Sequence, residues 1–153
     1  MIIQRLYIYR YNWNLTIIYG ASYDLSVVAE ELWNMKCPSR IALHAIKVIT
    51  EKNTGFCYTD TQIKSTLICI AKVDSSEEFA NTLVHELKHL QSHICSYYNI
   101  SEKSEEAAYL IGDTFEELYK MLKYDSLYFF LTFITSFKMG KVWKKRTFNL
   151  RKF

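Results

Sequence analysis

The sequence predicts a small α+β domain, with an N-terminal β-hairpin and a short sheet packed on a pair of helices. Three observations carry this. Runs rich in Ile, Tyr and Leu at residues 1–11, 15–19 and 66–71 read as strands. Phe79, Leu83, Leu87, Leu90 and Ile94 recur at three- and four-residue spacing, the period of an amphipathic helix. A second helical pattern opens after residues 97–100. The chain has 153 residues, 50% hydrophobic and 23% charged, which suits one globular domain with a real core. With four Gly and one Pro, long linkers are not expected.

Taken in order, residues 1–11 form the first strand, Asn12-Trp13-Asn14 a turn, and residues 15–19 a second strand ended by Gly20. Asp24 or Ser22 caps a helix reaching Met35, with Leu25, Val28, Ala29 and Leu32 inward. Cys37-Pro38-Ser39 breaks it. Ser39 caps a second helix over residues 40–51, with Ile41, Ala45, Val48 and Ile49 inward. His44 on that helix reads as an ordinary core or surface residue. Asn53-Thr54-Gly55 is a turn. The apolar strand 66–71 follows, either as an interior strand or as an open edge for an extended peptide.

That strand leads into His85-Glu86-Leu87-Lys88-His89, an H-E-x-x-H motif, which has meaning only on a helix. Ser75 and Glu78 form a capping box, so the helix starts near Ser76. His85 and His89 then lie one turn apart on the face opposite Leu83 and Leu87. Two imidazoles so placed suit one zinc ion, at roughly 2.0–2.1 Å per bond. Glu86, turned by about 100°, suits the general base acting on a water.

A catalytic zinc takes three protein ligands. The third is expected from the next helix, capped by Asn99 or Ser101, with Ile111, Phe115, Leu118 and Leu122 as its core stripe. Glu105, Ala108, Tyr109 and Gly112 share another face. Small side chains at 108 and 112 would let this helix approach the histidine helix and bring Glu105 to the metal. Tyr109 would bond a ligand from behind. Glu106 is second choice and Glu102 third. The simpler alternative is that all three glutamates only favour the helix N-terminus. His93 shares the face of His85 and His89, but no Gly lies between residues 90 and 94 as a metzincin requires. It reads as a rim residue.

The stretch 81–90, followed by 105–112, resembles small zincin-like metallopeptidases of the gluzincin type, most closely the short versions of bacteriophages and of mobile elements of gut bacteria. The resemblance extends weakly upstream through Asn53-Thr54-Gly55-Phe56 and covers roughly residues 50–120. It implies a zincin-like α+β fold, zinc as cofactor, His85, His89 and Glu105 as ligands, and Glu86 as base. The expected activity is zinc-dependent hydrolysis of a peptide or protein substrate. Tyr109 stands where thermolysin-like members carry an Asp. The rival expectation is a catalytically inactive interaction or virion-associated protein in which the metal only staples helices.

Charge divides the chain in two. Seven of the 19 Lys and Arg lie in residues 126–153, which hold no acidic residue; the other 12 face all 16 acidic residues in residues 1–125. The expected division is a domain over 1–125, then an apolar segment and basic tail. The apolar run 127–137 is too short to span a membrane, which takes about 20 residues. The tail's mix of Lys, Arg, Trp143, Phe148 and Phe153 suits contact with an anionic membrane surface. A solvated tail is the plainer alternative, and nucleic acid is not the expected partner. Arg5 and Arg10 break the apolar start, so no signal peptide is expected and a cytoplasmic location is. Cys37, Cys57, Cys69 and Cys95 form no C-x-x-C pair and read as reduced, buried thiols.

Overall fold

The computed structural model describes the backbone of residues 1–52 and 54–136 and side chains as far as residue 121. The expected basic tail, 138–153, lies outside them. The fold is α+β: a mixed four-stranded sheet with two pairs of α-helices.

Strands β1 (Ile2–Ile8) and β2 (Trp13–Tyr19) form the expected antiparallel hairpin, pairing Ile2 with Tyr19 and Ile8 with Trp13. A 3-10 turn, Tyr9–Tyr11, and Asn12 in the left-handed region (φ 47°) join them. Helix α1 (Leu25–Asn34) is capped by Asp24, whose carboxylate accepts from the Ser26 amide. Val27, Val28 and Leu32 are its buried residues, and Ala29 is exposed. Helix α2 (Ser39–Lys47) is shorter than expected and gives way to a π-helical turn, Val48–Lys52. Its cap position belongs to Pro38, not Ser39. Only Ala45 and Ile49 of the expected stripe are buried.

Strand β3 (Gly55–Asp60) begins at the glycine that closes the expected turn and has no counterpart among the strands expected from sequence. It pairs antiparallel with β4 (Ser65–Ile70), which pairs parallel with β2. The order is therefore β1-β2-β4-β3. Strand β4 is interior, and the two edges of the sheet are β1 and β3.

Helix α3 (Ser76–Tyr98) begins where the capping box predicts: Ser75 Oγ accepts from the Glu78 amide, while Glu78 Oε2 accepts from Asp74 N at 3.0 Å. Asn99, left-handed at φ 57°, ends it. Leu83, Leu87, Leu90 and Ile94 pack on Trp13, Leu15, Ile17, Ile68 and Ile70 from one face of the sheet. On the other face α1 and α2 close a second core on Ile18, Leu67 and Cys69. The sheet thus holds α3 by apolar burial along its whole length, at roughly 25 cal/mol per Å² removed from water.

Helix α4 (Glu105–Ser136) starts with Ser104 Oγ accepting from the Ala107 amide. Its backbone stays helical through position 125, where a domain boundary was expected, and through 127–136 of the apolar run. Among its described side chains, which end at residue 121, the buried ones are Ala107, Leu110, Thr114 and Leu118. Leu118 alone of these belongs to the expected core stripe. No helix among the described residues is long and apolar enough to cross a membrane.

Candidate metal centre and its groove

The H-E-x-x-H segment lies within α3. His85 and His89 are both exposed, and their Nε2 atoms stand 3.2 Å apart. Two ligands of one tetrahedral zinc, at roughly 2.0–2.1 Å each, are separated by about 3.3 Å. The pair therefore fits two positions of a single ion.

Glu86 is buried, at 4% exposure, and faces β3. A Cβ placed on Gly55 would lie 2.3 Å from Glu86 Oε1 and 2.6 Å from its Cγ. Only glycine at the start of β3 leaves room for this carboxylate. Burial pushes the Glu86 carboxyl up to about 7. It also pushes the Cys57 thiol up to about 12, with the Glu86 charge adding to the effect. Such a carboxyl sits in the range where a general base works near neutral pH.

The arrangement follows from angles around α3. Counting about 100° per residue from His85, His89 falls near 40°, His93 and Glu86 near 80–100°, and the buried leucines near 140–200°. Gly55 meets Glu86, and Thr59 meets His93 with Oγ1 2.8 Å from Nδ1. So β3 lies along the 80–100° face, and the histidine pair lies outboard of it. That is where a fifth strand would run if an extended chain joined the β3 edge.

The three glutamates stand elsewhere. Taking Ala107 as the inward direction of α4, Glu105 lies about 160° away, exposed on the solvent side. Ala108 and Tyr109 are exposed too, and a Cβ on Gly112 would meet nothing within 4 Å. The expected close approach through that small-residue face does not occur. The contact is made instead by Ala107, whose carbonyl accepts from Gln91 Nε2 at 2.6 Å. Glu106 is held by Arg10 at 2.9 Å and by the Tyr11 hydroxyl at 3.1 Å. Glu102 touches α3, bonded to Lys88 at 2.8 Å, one residue before His89. The Lys88 and Ser92 side chains hold the Glu102 carboxyl below its ordinary value. Among the described residues no group of three His, Cys, Asp or Glu side chains is arranged to hold a metal ion. The structure brings His85 and His89 together, turns Glu86 towards Gly55 and leaves Glu105 apart. His44 is exposed on α2, edge-on to Phe56.

Two features of the groove were missed from the sequence. One is Gly55. The other is a chain of hydrogen bonds ending on His93, with partners 53, 7 and 34 residues apart. No protein-family model, curated protein or solved structure matches the chain.

Proposed function

We propose that the protein is a zinc-dependent hydrolase of peptide bonds, with His85 and His89 as imidazole ligands and Glu86 as general base. The observation that carries this is the placement of the histidine pair outboard of the free β3 edge, beside a buried glutamate. An extended peptide joining β3 as an antiparallel or parallel strand would pass over the pair. Zinc, when bound, supplies Lewis acidity that makes a water acidic and polarises a carbonyl. The Glu86 carboxylate takes the proton of the attacking water and passes it to the leaving amine nitrogen. Its burial keeps bulk water from competing for that proton.

The test is zinc content with cleavage. Purified protein should carry close to one zinc and cut members of a peptide library. His89→Ala should lose the metal. Full zinc retention by that variant would remove the site, and zinc without cleavage would leave the metal a structural role.

Glu105 stays the proposed third ligand. Glu102, already against α3 beside His89, is its competitor. Zinc loss in Glu105→Ala alone assigns the ligand to Glu105. Zinc loss in Glu102→Ala alone puts the ligand in the turn before α4. Full zinc in both variants rules out a glutamate ligand from either position.

A further inference from the structure

One turn along α3 from His89, a pocket of about 300 Å³ is lined by Thr59, Thr61, His93, Ser96 and Tyr97. A directed hydrogen-bond chain reaches it from the core. Trp13 Nε1 can only donate, and it donates to Thr66 Oγ1 at 2.9 Å. Thr66 is fully buried, and its hydroxyl proton has Thr59 Oγ1, at 2.8 Å, as its acceptor. Thr59, now accepting, has its own proton to place. Cys57 Sγ is within its reach, but an imidazole nitrogen is the far stronger acceptor, and His93 Nδ1 lies 2.8 Å away. With the donors in this order, His93 accepts at Nδ1 and carries its proton on Nε2. A histidine's second-nitrogen bond sets its tautomer in this way.

His93 Nε2 has no partner among the described residues. No buried side-chain nitrogen is left without one either, so Nε2 is open to the pocket. Thr61 and Ser96 line the same space. Lys64 lies over the Tyr97 ring, 5.1 Å from its centroid, with its ammonium donating to the Tyr98 hydroxyl at 3.1 Å. The nearest acid in sequence, Asp60, is occupied: its Oδ1 accepts from the amides of Gln62 and Ile63 at 2.8 and 3.4 Å. The pocket thus offers hydrogen-bond donors.

We propose that this pocket is a substrate subsite for a carboxylate side chain, Asp or Glu, bound by the Nε2–H of His93. The proposal rests on the hydrolase reading for its register only. The rings of His89 and His93 are 6.5 Å apart between centroids, which is about two residues of extended chain at roughly 3.3 Å each. The acidic residue therefore sits two positions from the bond to be cut. His93 is here a substrate-binding residue and not a metal ligand.

Three measurements on the zinc-loaded full chain test this. Ring ¹⁵N spectra should show His93 protonated at Nε2 in the wild type, and a tautomer mixture in Thr59→Val. Protonation at Nδ1 in the wild type would overturn the proposal whatever the activity. Binding is read without turnover on Glu86→Gln, using acetylated pentapeptides with central Asp, Asn or Ala. The Asp peptide should bind at least fivefold more tightly than the Ala peptide and move the Nε2 resonance. His93→Ala should abolish that preference, and His93→Gln, which restores an N–H donor, should recover part of it. Equal binding of the three peptides, or no binding, overturns the subsite. Cleavage by the wild type should then favour Asp two residues from the cut about fivefold. Asp-selective binding without cleavage would sink the hydrolase reading and leave the subsite standing, whereas cleavage with no acidic preference would do the reverse.

Discussion

Glu86→Gln should abolish peptide hydrolysis while making the metal-free protein less sensitive to alkali. The first effect follows from chemistry: an amide fills the same space and cannot accept a proton, so a loss of at least about 10²-fold is expected. The second follows from burial. The Glu86 carboxyl is pushed up to about 7 in the folded chain, against an ordinary value near 4.5. Between those two values the folded state binds more protons than the unfolded one, so wild-type stability falls as pH rises through the window and levels off above it. Glutamine at 86 has no such dependence. The stability of the variant relative to the wild type should therefore rise by about 2 kcal/mol from pH 4.5 to 8, the full value being reduced by solvent screening. Taking the difference between the two proteins cancels the other titrating groups. Urea titrations of chelator-treated protein at pH 4.5 and 8 measure it. An unchanged difference would mean that Glu86 is not buried against β3.

The parts of the fold that could be read from sequence are those whose signals are local. Ser75 and Glu78 announce α3 because a capping box is a four-residue affair. The stripe from Leu83 to Ile94 announces its buried face, and that face in turn puts His85 and His89 outward. The hairpin is legible from two apolar runs with a turn between them.

What failed depends on distant partners. Strand β3 carries no alternation: all six of its residues are half-buried, because one edge is open and α3 lies alongside. With β3 missed, β4 was left as a candidate edge. On α4 the large residues Ile111 and Phe115 suggested the core direction. The tight contact with α3 is made by Ala107, where smallness and not apolarity is selected by the neighbouring Gln91. That misplaced the inward face, and with it the Ala108 and Gly112 argument for Glu105. The position of Glu86 against Gly55, 31 residues earlier, and the path from Trp13 to His93 had no sequence signal, since each is made by the packing of β3 on α3.

Gly55→Ala should be destabilising only while Glu86 is present. The φ of Gly55 is not in the left-handed region, so backbone freedom is not the reason for glycine here. The reason is space. An added Cβ would lie 2.3, 2.6 and 2.7 Å from Oε1, Cγ and Cδ of Glu86, closer than real Cβ contacts come. The glutamate side chain has to move, and its surroundings are buried. Overpacking of this kind costs about 1–3 kcal/mol. Removing the clash from the other side, as Glu86→Ala does, should make the same change at 55 cost less than about 0.5 kcal/mol. The coupling between the two positions would then be on the order of 2 kcal/mol, within the range for residues in contact. Activity should follow, because a base displaced by about 1 Å can lose about 10²-fold in rate. Zinc content should be unchanged in Gly55→Ala, since His85 and His89 are exposed and the added Cβ would meet the Glu86 side chain, not theirs. A double-mutant cycle on urea stability gives the coupling. Equal destabilisation in both backgrounds would place the cost in the strand itself and would separate Gly55 from the catalytic carboxylate.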